Sequence, residues 1–359
     1  MKKLLILTNT VPEYRVPIYN MLAQIFDLTV AHFENSSSSC SISFKKHKLT
    51  KKKIGPFIFV SENIHRIAKG FDAVIAMGDL HVFSYMFLGF KFRRSYSLTY
   101  WGGDVSFSYK KGYDVDRRFD MVRFYLMNKA DSIIFYSKYP VHRYINDGGI
   151  NPEKLFVSNN TVHIAERINI PVSKKYFLFV GTLYKEKKIF ELLESYYKAT
   201  NLLNDIHPLI IVGDGSEKET IEVWIKEHEL SEKIILKGAI YDEILLRNIF
   251  QDAIACISPG QAGLSVLSSM AYGVPFITTK NAITGGEIFN ISHDQNGLLY
   301  ENGENELTQI ILTLAKNEAK VAELSINAQE YYYQNATSEM MVENLKLSVE
   351  YAIKLRNNF

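Results

Sequence analysis

Short apolar runs alternate with longer amphipathic stretches along this chain of 359 residues. Two series of apolar runs predict buried β-strands, because strands of parallel sheets are almost continuously apolar. The first series comprises Leu4–Leu7, Leu28–Ala31, Ala73–Ala76, Tyr96–Tyr100, Ser132–Phe135 and Leu155–Val157. The second comprises Tyr176–Val180, Leu209–Val212, Ile234–Leu236, Ile254–Ile257 and Phe276–Thr278. Strands that alternate with helices in this way indicate an α/β protein built on parallel sheets.

The two series of strands indicate two domains. A chain of this length is about twice as long as a typical domain. The segment 164–175 between the series contains Pro171 and several polar residues, as a linker does. Residues 306–354 have a helical pattern throughout. Thr337 and Ser338 predict the cap of a last helix from Met340 to Leu355.

The first four strands of the second series are each followed by small residues or by a lysine. Open parallel sheets bind their ligands at the carboxyl ends of the strands. The segments concerned are Gly181-Thr182 with Lys187, Gly213 to Ser216, Lys237 to Ile240, and Gly260 to Gly263. Together they predict one extended slot for a nucleotide.

The turn Gly260–Gly263 leads directly into a predicted helix, Leu264–Tyr272. The first N–H groups of a helix have no partner within it, and the helix dipole adds about half a positive charge there. We therefore expect an anion-binding site at this turn. Gly260, Ala262 and Gly263 have little or no side chain, so a bulky ligand could approach the backbone closely. A tight turn without a ligand is the alternative.

Charge is distributed unevenly between the two halves. Residues 1–165 hold 23 Lys and Arg against 13 Asp and Glu, a net charge of +10, whereas the remainder carries −8. A basic half indicates an anionic partner, either nucleic acid or a phospholipid surface. Lysines are densest between Lys45 and Lys53, and Arg117, Arg118 and Arg123 alternate with apolar residues as in an interfacial helix. No nucleic-acid-binding signature accompanies this charge, so a membrane surface is favoured over nucleic acid. A solvated helix face is the alternative.

Cysteine content and hydropathy favour a cytoplasmic protein. The chain has two cysteines, Cys40 and Cys256, and the second lies inside an apolar strand pattern, which suits a reducing compartment. No apolar stretch is long enough to cross a membrane. The short apolar run after Met1 is interpreted as the first strand and not as a signal peptide.

Metal-binding patterns are weak in this sequence. Asp114-Val115-Asp116 has the spacing of a metal-binding pair, but it precedes the basic helix, where acidic residues favour the helix N-terminus. We therefore expect capping and no metal. No His/Cys cluster has zinc spacing and no glycine–lysine phosphate loop is present.

Two segments of the first half follow predicted strands and carry candidate ligand-binding residues. Arg15 lies between Pro12 and Pro17 and could reach a phosphate, with a plain surface charge as the alternative. Trp101-Gly102-Gly103-Asp104 combines an aromatic residue with glycines at a strand end, as in sugar-stacking sites. Asp104 could bind hydroxyls or act as a base, with a plain turn as the alternative.

Seven motifs follow one another in the second half. They are Phe179-Val180-Gly181 with Lys187, Ile211-Val212-Gly213-Asp214-Gly215, Lys237-Gly238, Ser258-Pro259, Met270 to Pro275, Gly286-Glu287, and Asn296 to Leu299. As a set they resemble the second domain of GT-B glycosyltransferases, specifically the retaining nucleotide-sugar transferases of family 4. The likeness extends roughly over residues 120–350 and is weaker in the first half.

This resemblance implies two Rossmann-like, doubly wound domains that face each other across a cleft. Residues 1–163 would form an acceptor-side domain, residues 164–337 a nucleotide-sugar-binding domain, and residues 338–359 a terminal helix that crosses back to the first.

The resemblance also implies catalysis chiefly by stabilising charge on a leaving diphosphate. The expected catalytic residues are Lys187, Gly260, Gln261 and Asp104. The expected donor-binding residues are Gly181, Thr182, Gly213, Gly215, Gly238, Ile240, Ala262, Gly263, Leu264 and Ser268. The expected acceptor-side residues are Arg15, Trp101, Gly102 and Gly103.

Three departures from the family pattern stand out. The two glutamates of its E-x7-E motif are replaced here by Gly260 and Ser268. Thr182 stands where the family has an arginine beside the diphosphate, and Gly103 where it commonly has a histidine. Such a degenerate motif permits either an unusual donor sugar or an inactive relative.

The expected function is that of a retaining, metal-independent hexosyltransferase without a cofactor. It would move a sugar from a nucleoside diphosphate to a lipid-linked saccharide in surface polysaccharide synthesis, such as that of lipopolysaccharide or capsule. It would work in the cytoplasm, bound peripherally to the anionic inner face of the membrane and not to nucleic acid. The alternatives are a catalytically inactive partner subunit and a nucleotide-sugar epimerase of the same fold.

Overall fold

The computed structural model describes residues 1–34, 41–90, 94–108 and 112–357. Cys40, on which part of the cytoplasmic expectation rests, lies outside the described residues. The contacts divide the chain into two compact units. The first unit consists of Met1–Phe107, Asp114–His163 and Thr337–Phe359, and the second of Ser108–Tyr113 and Ile164–Ala336.

The chain up to residue 163 contains strands of one large sheet and short strands that pair two by two. The strands are β1 (Lys3–Leu7), β2 (Asp27–His32), β3 (Lys45–Lys48), β4 (Lys51–Ile54), β5 (Phe57–Val60), β6 (Ala73–Met77), β7 (Ser97–Trp101), β8 (Phe107–Ser108), β9 (Gly112–Tyr113), β10 (Ser132–Phe135) and β11 (Leu155–Val157). The helices are α1 (Val16–Ile25), α2 (Ile64–Ala68), α3 (Phe83–Phe87), α4 (Asp120–Met127) and α5 (Val141–Asn146).

A parallel sheet of seven strands forms the centre of the first unit, in the order β11-β10-β7-β6-β1-β2-β3. All six strands predicted for this half are present. The lysine-rich strand β3 and the antiparallel pair β4–β5 were not predicted. Strands β3 and β4 are rich in lysine and exposed along their whole length, so no apolar run marks them. Strand β5 is apolar, but no strand was predicted there.

The remaining elements follow residue 163. The strands are β12 (Tyr176–Val180), β13 (Leu209–Val212), β14 (Ile234–Leu236), β15 (Ala253–Ile257), β16 (Gln261–Ala262), β17 (Phe276–Thr279), β18 (Ile283–Thr284) and β19 (Gly297–Tyr300). The helices are α6 (Ile189–Leu202), α7 (Lys218–Glu227), α8 (Glu243–Gln251), α9 (Ser265–Ala271), α10 (Gly303–Lys316), α11 (Glu318–Asn335) and α12 (Ser338–Asn357).

The second unit is built on a parallel sheet in the order β14-β13-β12-β15-β17-β19. The five strands predicted for this half are present, and β19 adds an edge strand. One large core packs α6 and α10 against the sheet around Phe177, Phe179 and Tyr196. Because the strands are parallel, the loops after β12, β13 and β15 share one edge of the sheet.

The last helix, α12, is part of the first unit. Met341, Leu345 and Val349 are buried with Leu4 and Ile6 of β1. The hydroxyl of Ser132 is within 2.9 Å of that of Ser348. Thr337 caps the helix, since its Oγ1 accepts from the backbone N–H of Met340 at 3.3 Å.

The acidic pair before α4 does not cap that helix. Asp114 is buried, accepts from the Tyr139 hydroxyl at 2.8 Å and pairs with Arg143. Asp116 instead pairs with Arg118, at 2.6 Å. The capping prediction was therefore wrong, because the helix begins later than its polar pattern suggests. In the ranges that the structure describes, no group of three or more metal-ligating residues is placed to hold a metal ion.

No described helix is both long enough and apolar enough to cross a membrane.

A buried lysine makes the stability of the second unit depend on pH. Lys174 is 8% exposed, and its ammonium donates to the carbonyls of Gln251 at 2.8 Å and Gly273 at 3.2 Å. Burial lowers the pKa of Lys174 to about 8, below the value of about 10.4 in an unfolded chain. The unfolded state therefore binds more protons between these two values, and the free energy of unfolding rises with pH across that window.

Replacing Lys174 with methionine should remove this part of the pH dependence. Between pH 8 and pH 10 the wild type should gain about 2 kcal/mol of unfolding free energy relative to Lys174→Met. Urea unfolding of both proteins at the two pH values measures this difference, and groups common to both proteins cancel. Parallel pH profiles for the two proteins would contradict the expectation.

Candidate functional site

The loops after β12, β13 and β15 pack against one another through their backbones. A Cβ at Gly213 would stand 1.9 Å from the carbonyl oxygen of Gly181, and one at Gly260 would stand 2.1 Å from that of Glu186. The backbone N–H of Gly260 donates to the carbonyl of Lys187 at 3.0 Å. No side chain fits at either position without moving the neighbouring loop.

This packing corrects the role predicted for Gly260. Its N–H is directed at the loop that carries Lys187, so it is not available to a ligand. The absence of a side chain serves loop packing and not close ligand approach. For the same reason, a glutamate at position 260 would collide with the backbone of Glu186.

Lys187 ends a single turn, Lys185–Lys187, that follows β12. The residue is 7% exposed, and its Nζ is 3.2 Å from the place where a Cβ at Gly181 would stand. Burial lowers the pKa of the Lys187 ammonium. No carboxylate lies within ion-pair distance of it among the residues that the structure describes. The turn thus presents an un-neutralised cation at the edge of the sheet where a diphosphate is expected.

Tyr184 links this cation to the glycine turn. Its hydroxyl donates to Oε1 of Gln261, and the ammonium of Lys187 lies 5.9 Å from the centre of its ring. Tyr184 could not be selected from the sequence, because its partner is distant along the chain. Gln261 therefore lies close to Lys187 with its side chain already oriented.

The turn that contains Gln261 is a paired strand and not an open loop. Gln261 and Ala262 form β16, which pairs in parallel with Ile283 and Thr284 of β18. Ala262 is fully buried there, so its small side chain suits packing rather than ligand approach. The predicted free turn was wrong at these positions.

The start of α9 remains open beyond β16. Leu264 precedes the helix without a side-chain cap, and the first turn contains no acidic residue. A Cβ at Gly263 would meet nothing closer than the Gln261 amide nitrogen, at 4.0 Å. Of the residues predicted to bind the donor at this turn, Gly263 and Leu264 therefore keep an open backbone, and Ser265, which was not predicted, follows them.

Pairing of β16 with β18 also brings in an acidic residue that was not predicted as a site residue. Glu287 is 6% exposed, and its carboxylate accepts from the N–H of Gly285 at 2.9 Å and from the hydroxyl of Thr284 at 3.3 Å. Gly286-Glu287 was visible as a motif. Its placement beside β16 depends on the pairing of β16 with β18. Each of these strands has only two residues, so no sequence pattern predicts them.

The other expected donor-binding residues lie at the same edge of the second sheet. Thr182 is exposed, and Gly215 and Ile240 are half-buried. The carbonyl of Gly238 accepts from the N–H of Gly213 at 2.8 Å, which joins the loops after β13 and β14. The hydroxyl of Ser268 contacts the carbonyl of Leu264 in its own helix at 3.4 Å.

Trp101 and Arg15 form a buried cluster in the first unit. Trp101 is 3% exposed, so its ring cannot stack on a sugar as predicted. The Arg15 guanidinium lies 5.0 Å from the Trp101 ring and 5.8 Å from the Tyr136 ring. It donates to Oδ1 of Asn160 at 2.7 Å and to the sulfur of Met341 at 3.0 Å. Arg15 is thus neither a surface charge nor, among the described residues, neutralised by an acid.

Asp104 and Gly103 hold the loop after β7 in place. Asp104 is 5% exposed and its Oδ2 accepts from the N–H of Tyr136 at 3.0 Å, which favours a structural role over that of a base. Gly103 has a φ of +71°, and a Cβ there would stand 1.8 Å from the carbonyl oxygen of Gly78. A histidine therefore cannot replace Gly103 in this loop.

Comparison with known proteins adds to this geometry. Residues 162–331 match the family model described as Glycosyl transferases group 1. The second unit is a glycosyl transferases group 1 domain. Lys187, Gln261, Gly263 and Glu287 all lie within the matched residues, as do the loops that pack around Gly260.

A curated relative from Campylobacter jejuni is 28% identical over 202 residues. It is named N-acetylgalactosamine-N,N'-diacetylbacillosaminyl-diphospho-undecaprenol 4-alpha-N-acetylgalactosaminyltransferase. The match covers 54% of this chain and 53% of the relative, so the chain spans about half the length of that protein.

Solved structures resemble the whole chain. A glycosyltransferase from Rickettsia africae has a TM-score of 0.72 at 15% identity, with 98% of each chain covered. Anabaena Alr3699/HepE in complex with UDP has a TM-score of 0.69 at 15% identity, with 97% of this chain and 99% of that chain covered. At this identity the likeness concerns the fold alone. It confirms the predicted GT-B fold of two Rossmann-like domains.

Proposed function

We propose that the chain is a retaining glycosyltransferase of family 4 with a degenerate E-x7-E motif. It transfers a hexose-type sugar from a nucleoside diphosphate to a lipid-linked saccharide during surface polysaccharide synthesis. The observation that carries this proposal is the buried, un-neutralised Lys187 beside Gly181, inside a glycosyl transferases group 1 domain. The name of the Campylobacter relative, which includes diphospho-undecaprenol, supports a lipid-linked acceptor.

In this proposal, charge on the leaving diphosphate is the main target of catalysis. The Lys187 ammonium and the open backbone of Gly263 to Ser265 are fixed before the substrate arrives, so they stabilise developing charge without reorganisation. The acceptor hydroxyl attacks the anomeric carbon on the face from which the diphosphate leaves. Its proton passes to the leaving phosphate oxygen, so no side-chain base is required. Asp104 therefore keeps its structural contact with the N–H of Tyr136. The reaction is proposed to need no metal ion.

Several predicted site residues take different roles in this proposal. Gly260 acts by fixing the Lys187 turn, whereas Gln261 is positioned by Tyr184 to contact the donor. Because no glutamate fits at position 260, sugar hydroxyls must be bound by other groups. Glu287, held against Thr284 beside β16, is the carboxylate that we assign to this role.

A donor screen tests the proposal directly. The purified chain would be mixed with nucleoside diphosphate sugars of different bases and sugars, and the donor identified as the one that raises the melting temperature. Transfer to a lipid-linked saccharide is then followed by mass spectrometry. Absence of a shift with every donor would favour the inactive partner subunit. Conversion of the sugar nucleotide without an acceptor would identify an epimerase.

Arg15 is proposed to bind a phosphate of the acceptor. A guanidinium stacked on aromatic rings and without a carboxylate partner retains its charge for an anion. Arg15→Gln should raise the KM for the acceptor about tenfold, the loss typical of one charge-assisted hydrogen bond. The melting-temperature shift caused by the donor should be unchanged, because the donor loops lie in the other unit. An unaltered acceptor KM would rule out this role.

A further inference from the structure

Six aromatic rings make a continuous row on the first unit. Neighbouring ring centres are 4.5 to 6.1 Å apart, from β5 through α3 to α4. The aromatic row consists of Phe57, Phe59, Phe83, Phe87, Phe90 and Tyr125. Strand β5, helix α3 with the turn after it, and helix α4 therefore contribute to one surface.

Much of the aromatic row is open to solvent. Phe57, Phe87, Phe90 and Tyr125 are 41%, 45%, 45% and 57% exposed. Single exposed apolar side chains are common, but contiguous apolar patches usually mark an interaction surface. Helix α4 extends the patch, because Met121, one turn before Tyr125, is 69% exposed.

Positive charge surrounds the aromatic row. The Lys129 ammonium lies 4.3 Å from the centre of the Tyr125 ring and 5.9 Å from that of Phe90. Arg66 and Lys69 line, with Phe87 and Phe90, a cavity of about 660 Å³. On the other side, strand β4 places Lys52 opposite Phe59 in the β4–β5 pair. No ion-pair partner of these four cations is found among the described residues.

Of the three arginines that the sequence suggested for membrane binding, one is buried and two form surface ion pairs. Arg123 is 8% exposed, and Arg117 and Arg118 pair with Asp114 and Asp116. Ion pairs thus offset part of the positive charge of this region. Its contribution to a membrane-binding surface lies in the exposed apolar side chains of α4.

We propose that the aromatic row and its lysine and arginine border dock on an anionic phospholipid surface. This inference rests on the proposed function, because a lipid-linked acceptor must be reached at a membrane. Aromatic side chains favour the headgroup level of a bilayer, and lysines and arginines beside them are attracted by acidic headgroups. The first half of the chain carries a net charge of +10, which is complementary to such a surface. A protein partner would require matching acidic pockets, whereas a bilayer accommodates a row of rings of any outline.

Vesicle flotation with the full-length chain tests the proposal. Vesicles of phosphatidylcholine alone are compared with vesicles containing about one third phosphatidylglycerol. The wild type should bind the anionic vesicles at least about tenfold more tightly. The double variant Phe87→Ser, Phe90→Ser should lose at least about tenfold in binding to them. The double variant Lys69→Gln, Lys129→Gln should weaken binding to the anionic vesicles but not to vesicles of phosphatidylcholine alone.

Matched controls separate docking of this surface from nonspecific hydrophobic binding to vesicles. Tyr241 and Ile244 of the second unit are 90% and 69% exposed, so Tyr241→Ser, Ile244→Ser removes as much exposed apolar surface. This variant should float like the wild type. Phe90→Trp keeps an aromatic ring in the row and reports its insertion by fluorescence. The tryptophan emission should shift to the blue with anionic vesicles and be quenched by brominated lipid.

The outcomes distinguish this surface from the proposed function. Donor-induced melting shifts should be unchanged in the Phe87 and Phe90 variant, because donor binding belongs to the other unit. If the wild type floats with anionic vesicles but binds no donor, the docking surface stands and the transferase proposal fails. Equal flotation of the wild type and the aromatic double variant would overturn the docking surface. So would a wild-type dimer in sedimentation that the double variant converts to a monomer, since a second copy would then cover the row.

Discussion

Replacing Lys187 with alanine should lower kcat/KM by about a hundredfold or more. Loss of one preorganised group that stabilises developing charge typically has an effect of this size. Steady-state kinetics with the donor identified by the melting-temperature screen measures the change. Full turnover by the variant would show that the site has been placed wrongly.

The neighbouring lysine provides a matched control for this experiment. Lys185 belongs to the same turn but is exposed, so Lys185→Ala should retain near wild-type kinetics. Thermal stability should be maintained in Lys187→Ala, because burial disfavours the charged form of Lys187 and its removal relieves that cost. A large fall in melting temperature would mean that the kinetic loss reflects unfolding instead of chemistry.

A single methyl group at Gly260 should disturb both stability and catalysis. In Gly260→Ala the new Cβ would stand 2.1 Å from the carbonyl oxygen of Glu186, so the turn that holds Lys187 must move. We expect a loss of about 3 kcal/mol in the free energy of unfolding, as for other overpacked sites. Activity should fall as well, since small displacements of catalytic groups are costly. Urea unfolding and kinetics measure the two effects separately.

Gly263 is the control for this second prediction. It lies in the same turn, but a Cβ there would meet nothing closer than 4.0 Å. Gly263→Ala should therefore change the free energy of unfolding by less than about 1 kcal/mol. If the two variants are equally stable, the packing described at Gly260 is wrong. The larger side chain of Gly260→Glu should for the same reason not raise activity.

Strand positions were predictable because parallel strands need continuous apolar runs. Ala253–Ile257 and Phe276–Thr279 illustrate this, since nearly all of their residues are buried. Strand β3 was not predictable, because Lys45–Lys48 is exposed and joins the sheet through backbone pairing with β2. Backbone pairing leaves no mark in the side-chain pattern.

The candidate site was predictable in position but not in detail. Motif spacing placed Lys187 correctly at the end of β12, since a strand end and its loop are local features. The burial of Trp101 against Arg15, and the contact of Gly260 with Glu186, arise from segments far apart in sequence. Small residues at a turn are equally compatible with a ligand and with a neighbouring loop, and only tertiary packing decides between them.

Helix α12 determines the order in which the two units are completed during synthesis. The core of the first unit includes Leu4 and Ile6 from the start of the chain and Met341 and Leu345 from its end. During synthesis from the N-terminus, the second unit therefore leaves the ribosome complete while the first still lacks its last helix. Domains usually fold in the order in which they emerge. Here the first unit begins to emerge earlier, but its core is completed only after the second unit has been synthesised. Until α12 has been synthesised, the apolar face that it later covers is exposed on the nascent chain.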